Sequence, residues 1–543
     1  MNDSSNSGQD KPAQQPLCSC CTGSRAADPQ RLSLSRRGFL QGVGCAGTVA
    51  AVVGPLLAAE TRVQAACAEP APGTSHPCGT VLRVKPVLLC GVPTRREKDS
   101  FRWYGGIQTA DEVHNEARRL ERDLQELARG SDFPIEFLPL ALVDSEEKAK
   151  AAAACSCDVL LMFGACFGAR WEDWRIPSLL TASNTPSLMF VRHRTEPYYF
   201  WHEAVQLYLL RDLTDAQTNP NMDAQDIVVD DYQEILWRLR ALYGLKNSRG
   251  TKMLAIGGLQ HYSAVGAAHG PQHAQEVWDY TIEARSLEEF GQRLQQNRAD
   301  QSVVDAVEQQ TRELLAQPNV TLKTDRKFVF NSFMALRTAK ELMKEIGATN
   351  FGMSPCMGNP VIGLLDTPPC LVLSMANDEG YTAYCHTDLT HTVPGVLLRW
   401  IAGRPTFLCN THFPHDGIYT VAHCAAPRKM NGKDYEPTDI MTHYESDYGA
   451  ATKVHYAKGQ TVTVVIPALD CSKWQGFRGK IVDVPARPAC RSQMDIEIEG
   501  DWHKLQSQQV GFHAQVVYGD YLREVGYALK KMKKPAWETF SET

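Results

Sequence analysis

"KPVLLCGVP" (residues 85–93) is a short apolar run with turn-forming residues behind it, and the segments downstream of it set the architecture. "ADEVHNEARRLERDLQELARG" (110–130) carries apolar residues at helical spacing among charges. "CDVLLMFGACFG" (157–168) and "PSLMFVRHR" (186–194) are again apolar runs of strand length, and "DDYQEILWRLRALYGL" (230–245) is again helical. Continuous apolar strands alternating with amphipathic helices predict a parallel sheet covered on both faces. "TKMLAIGGLQ" (251–260) opens a second unit of the same kind, with helices over roughly 276–298, 301–316 and 332–347 and a later strand at "PCLVLSMAND" (369–378). Beyond residue 402 the texture changes to short alternating segments: "PTFLCNTHF", "GIYTVAHC", "QTVTVVIPAL", "RGKIVDVPA" and "SQMDIEIE". That pattern predicts an antiparallel β-rich domain, closed by a last helix over 519–532. The expected fold class is therefore α/β: two Rossmann-like (flavodoxin-like) parallel-sheet domains, 80–246 and 247–402, and a C-terminal antiparallel β-rich domain, 403–543.

The first 68 residues read differently. Polar sequence leads to "SLSRRGFLQGVGCAGTVAAVVGPLLAA", where Arg36 and Arg37 precede Gly38, Phe39 and Leu40, ahead of an uncharged run of small residues. This resembles a twin-arginine signal peptide, which implies an exported, periplasmic or extracytoplasmic protein. The run is short and rich in Gly and Ala rather than Leu and Ile, which favours export over anchoring, and no other stretch is long enough to span a bilayer.

Across the 543 residues, 43% are hydrophobic and 22% charged, with net charge −6. No basic stripe or basic domain points to nucleic acid. Twelve of the 17 cysteines lie beyond residue 68, with no CxxC pair among them, which argues against a zinc ribbon. In an oxidising compartment some would pair, Cys471 with Cys490 being one option.

Histidine is concentrated. Seven of 16 (His386, His391, His412, His415, His423, His443, His455) fall within residues 386–455, where even scatter would put about two. The segment spans the change from α/β to β texture, and clefts at such junctions are where ligands bind. In "YCHTDLTHTVPGVLLRW" (384–400), Pro394 favours a helix beginning near 391–393. Residues 386–390 are then a loop in which Asp388 serves either as a site acid or as a cap, and His391 faces elsewhere. His412 sits at a strand end, and Glu445 is a second candidate acid.

The order of motifs carries a resemblance. "FRWYGGIQTADEVHNEARRL" (101–120), "CMGNPVIG" (356–363), "YCHTDLTHTVPGVLLRWIAGRPTFLCN" (384–410), "THYESDYGAATKV" (442–454) and "FHAQVVYGDYLREVG" (512–526) are similar, in this order, to the L-fucose/L-arabinose isomerase-like superfamily and its fucose isomerase-like branch. The resemblance implies a homo-oligomer, a hexamer in that superfamily, that interconverts open-chain aldoses and ketoses through an enediol at a bound Mn²⁺. A divalent ion there acidifies the C2 proton and a base shuttles it. Carried over residue by residue, the metal set becomes His386, Asn410 and His513, with His386 or Asp388 as base. His412, Glu445, Arg102 and Trp103 fall where substrate would be reached. Because carboxylates are replaced, Zn²⁺ or another transition metal is the alternative to Mn²⁺. Two further readings stay open: a non-catalytic carbohydrate-binding or structural protein on this scaffold, and a His-rich transition-metal enzyme with non-isomerase chemistry.

Overall fold

The computed structural model describes residues 79–102, 106–166, 175–199, 203–356 and 358–542. The twin-arginine segment and Trp103 lie outside them. Strand β1 (Leu82–Leu89) is buried along nearly its whole length, as a central strand covered on both faces must be. It pairs in parallel with β2 (Ile135–Phe137), β3 (Ala141–Val143) and β4 (Val159–Phe163). With β5 (Ser187–Val191) and β6 (Ile227–Val229) the order is β2-β1-β4-β5-β6, β3 continuing the β2 edge. The covering helix Ala110–Gly130 starts where its sequence says it should. Thr109 accepts from the Glu112 N–H while Glu112 accepts from the Thr109 N–H, a reciprocal capping box. Its inward face, Val113, Glu116, Leu120, Leu124 and Leu127, keeps helical spacing and is buried.

A second parallel sheet runs β11-β10-β7-β8, built from β7 (Lys252–Ile256), β8 (Thr281–Arg285), β10 (Asn350–Met353) and β11 (Thr382–Cys385). The short β9 (Val320–Leu322) leaves it to pair with a later strand. Two expectations fail here. "CLVLSMAND" is the helix Cys370–Asp378, buried at all nine positions, rather than a strand. A run buried on every side carries no apolar period, even with Ser374, Asn377 and Asp378 in it, and its length alone did not reveal a helix. The span read as one helix over 276–298 contains β8, an edge strand, before the helix Leu287–Ala299. Ser286 and Glu289 form a capping box that marks the true start.

The C-terminal region closes on itself. β12 (Phe407–Thr411), β13 (Ile418–His423), β16 (Thr461–Pro467), β17 (Lys473–Asp483), β18 (Ser492–Glu499) and β19 (His513–Tyr518) form an antiparallel barrel in the order β16-β19-β12-β13-β18-β17, with β17 pairing back to β16. β20 (Ala536–Thr539) adds to β17 in parallel. A separate small sheet joins β14 (Thr438–Met441) and β15 (Ala451–Val454) to β9. Phe407, Tyr419, Val421, Val464, Phe477, Met494, Ile496, Ala514 and Val516 fill the barrel core. Alternation along β19 therefore turns His513 and Gln515 outward, where Gln515 donates to the His391 carbonyl at 2.9 Å. Helix Leu389–Ala402 is buried at nearly every position between the sheets and the barrel. Among the described residues no helix is long and apolar enough to cross a membrane.

Candidate metal centre

The register of the second sheet, Met353 opposite Cys385 and Ile256 opposite Met353, puts the carboxyl ends of β7, β10 and β11 side by side. In open parallel sheets this edge is where ligands bind. Thr387 knits the three loops. Its N–H donates to Ser354 Oγ at 3.0 Å, its hydroxyl to the Gly258 carbonyl at 2.7 Å, and it accepts from the Gln260 N–H at 2.7 Å. His386 is held with φ 57°, the left-handed region that a residue with a Cβ adopts at a cost. Gly352 makes the turn possible, since a Cβ there would stand 2.5 Å from the His386 carbonyl oxygen.

The loops bring Cys356, Cys385 and His386 together, all buried, with their ligating atoms within 4.8 Å of one another. The two thiol sulfurs are 2.7 Å apart. Either thiol can donate to the other; the contact with Cys385, together with His386, pulls the Cys356 thiol down, while Cys356 and burial push Cys385 up. Cys356 is thus the thiolate-prone member of the pair.

Imidazoles from elsewhere complete the wall. His391 lies in the first turn of helix Leu389–Ala402 and His513 begins β19, with ring centroids 4.9 Å apart. The Tyr262 ring stands 4.3 Å from both His386 and His513, and its hydroxyl, deprotonation of which burial opposes, donates to Cys385. Four buried ring nitrogens, Nε2 of His386, Nε2 of His513 and both nitrogens of His391, have no hydrogen-bond partner. Leaving a buried polar atom unpaired costs about 1–3 kcal/mol, so four in one place mark a ligand site rather than a packing fault. Burial pushes the imidazoles of His391 and His513 down, and that of His423 down to about 3. All three are neutral at neutral pH; His423 Nδ1 accepts from the Ala425 N–H at 3.1 Å, so it is His391 and His513 that keep a lone pair free to bind a cation.

The expected residues divide. His386 and His513 meet at Tyr262. Asn410 sits opposite His513 in the β12–β19 ladder but is exposed. Asp388 is the cap of its helix: Oδ1 accepts from the Thr390 N–H at 2.9 Å and the Thr390 hydroxyl at 2.7 Å, and Oδ2 from the Tyr262 N–H at 3.0 Å. Burial pushes that carboxyl up, but neighbouring His391 and these donors hold it below its usual range. His391, expected to face elsewhere, faces the site, because the helix begins at Leu389 and turns it inward. His412 is turned outward against His415, at 5.3 Å between rings. Glu445 is half exposed, 3.4 Å from His443 Nε2. Arg102 is exposed, with its guanidinium over the Phe101 ring. Cys471 lies by Asp388 and Asp470, while Cys490 lies by Cys424, so the expected 471–490 pairing is not formed.

Cys356, Cys385 and Tyr262 were missed as site residues, while His423 entered only as one of the concentrated histidines. Cys385 adjoins His386 in the sequence, and Tyr262 lies just after the "AIGG" turn, so both carried a signal. Cys356 carried none, because only sheet register brings it to Cys385.

This donor set does not fit Mn²⁺, which prefers hard oxygen ligands. The adjoining carboxylate, Asp388, already accepts three hydrogen bonds. Two thiols and imidazoles fit Zn²⁺ or a similar borderline ion, and a Cys₂His set leaves a fourth position open to substrate or water. No family model matches the chain, and no curated protein matches it.

Proposed function

We propose that the chain is a metal-dependent enzyme acting on a small polyhydroxy carbonyl compound, with Cys356, Cys385 and His386 holding a zinc-class ion. The observation that carries this is the buried Cys₂His group beside unpartnered imidazole nitrogens. When bound, such an ion supplies Lewis-acid polarisation of a substrate oxygen. The chain's own residues do the rest. His391 and His513, kept neutral by burial, present ring nitrogens that take a proton from the carbon beside the carbonyl and return it. Tyr262 and Phe512, whose rings pack edge to face at 5.6 Å, are both part exposed and offer a wall on which a sugar stacks. Asp388 positions His391 by fixing the first turn of its helix.

The substrate class, homo-oligomeric assembly and export rest on the sequence resemblance and the Arg36–Arg37 signal. The parallel strand orders of the two sheets support the reading of both as doubly wound, Rossmann-like units. The test is elemental analysis of protein purified from its native compartment, together with solvent deuterium exchange at the carbon next to the carbonyl of aldoses and ketoses. One zinc-class ion per chain, lost in Cys356→Ser and His386→Ala, with exchange lost in His513→Ala, supports the reading. Stoichiometric Mn²⁺ retained by Cys356→Ser overturns it.

A further inference from the structure

A second pair of cysteines lies outside the proposed centre. Strand β13 ends at His423, which pairs with Ser492 at the start of β18. Just beyond the end of this ladder, the Arg491 N–H donates to Cys424 Sγ at 3.4 Å. Cys490, the next residue, is in hydrogen-bonding contact with Cys424. The segment is fixed from several sides. Arg491 Nε donates to the Thr442 carbonyl at 2.7 Å, Gln493 Nε2 to the Cys490 carbonyl at 3.0 Å, and the Ser492 hydroxyl to the Thr452 carbonyl at 2.7 Å. The two thiols also differ. Cys424 is buried and accepts from Cys490 and from the Tyr444 and Arg491 N–H groups, which pull its thiol down. Cys490 is part exposed and its thiol is pushed up.

We infer that Cys424 and Cys490 are a reversible dithiol–disulfide couple, oxidised by small-molecule disulfides, that staples the end of β13 to the start of β18. Cys490 is reachable from solvent and forms the mixed disulfide; the buried Cys424 sulfur, cradled by backbone donors, resolves it. Cys490 displaces one sulfur of the oxidant, which leaves with the Cys490 proton as a small thiol. Cys424 then attacks the Cys490 sulfur and displaces the second sulfur, which leaves with the Cys424 proton. One S–S bond forms in the chain and one breaks in the oxidant, whose two sulfurs leave as thiols with the electron pair and both protons. Because β13 carries His423 into the imidazole group, the staple fixes a wall of the centre and keeps both sulfurs from competing with Cys356 and Cys385 for a metal.

The test is peptide mapping of the full chain equilibrated with oxidised glutathione, then alkylated, with a dithiothreitol-reduced control. A 424–490 cross-linked peptide, absent after reduction and retained in Cys370→Ser, is expected. Cys424→Ser leaves Cys490 without a cross-link, carrying glutathione that dithiothreitol removes, and Cys490→Ser keeps the full metal content. Alkylation of both cysteines in the oxidised wild-type chain would overturn the inference, as would a cross-link from Cys490 to Cys370 or Cys471. Loss of metal in Cys490→Ser would also overturn it, making the pair ligands instead.

Discussion

Two of the buried polar groups among the described residues are finished differently. At the end of β5, Arg192 and Glu116 are 2% and 3% exposed, and their neighbour Tyr199 is fully buried. Arg192 donates to Glu116 at 3.2 Å and to the Tyr232 hydroxyl at 3.2 Å, Tyr199 donates to Glu116, and Tyr232 donates to Asp123 at 2.9 Å. In this group the charges and hydroxyls meet one another. At the carboxyl edge of the second sheet the burial is similar, yet four imidazole nitrogens have no hydrogen-bond partner, the Asp388 carboxylate standing 4.0 Å from His391 Nδ1. The first group is complete as a piece of structure; the second is complete only with a ligand. Burial alone therefore does not separate framework from site; single unpaired atoms such as the Tyr419 hydroxyl occur in the barrel core as well, and it is the gathering of four unpaired imidazole nitrogens in one place that marks the site.

Substitutions break this comparison most directly. Arg192→Met leaves the Glu116 charge buried without its cation, and chemical denaturation should show a loss of about 3–5 kcal/mol. Glu524 is a third case, a carboxylate 7% exposed whose burial pushes it up to about 7. Its folded value lies above its unfolded one, so the native state holds the extra proton. Stability is then full below about pH 4.5 and is lost as pH rises through about 7. Glu524→Gln should remove that decline, a gain of about 2–3 kcal/mol at pH 8 read from denaturation at pH 5 and pH 8. Gly352→Ala pushes a methyl group against the His386 carbonyl and should cost about 1–3 kcal/mol while lowering metal content. The smallest effect is the most telling. His391→Leu removes two ring nitrogens that have no hydrogen-bond partner, so the stability of metal-free protein should change by less than about 1 kcal/mol, or rise, while metal content is kept and solvent deuterium exchange at the substrate carbon falls.

How much was legible in the sequence varied with the kind of signal. Helix Ala110–Gly130 was read to its ends, because period, cap and first-turn acids agree. The switch to an antiparallel domain after 402 was visible in the alternation of segments such as Ile418–His423. Helix Cys370–Asp378 was not, since full burial erases the period that distinguishes helix from strand. At the site, the meeting of His386 with His513 came from motif order, not from spacing. The thiols needed the lateral register of β10 and β11, and the inward turn of His391 needed a helix start fixed by Asp388. Local patterns foretold elements; the site depends on which elements lie side by side.

X-ray absorption at the metal edge of protein purified from its native compartment tests the central claim most directly. The account predicts a zinc-class ion with sulfur scatterers at about 2.3 Å and imidazole nitrogen at about 2.0–2.1 Å, the sulfur signal falling in Cys356→Ser. An oxygen-only shell around Mn²⁺, or no bound metal in fully folded protein, would contradict it.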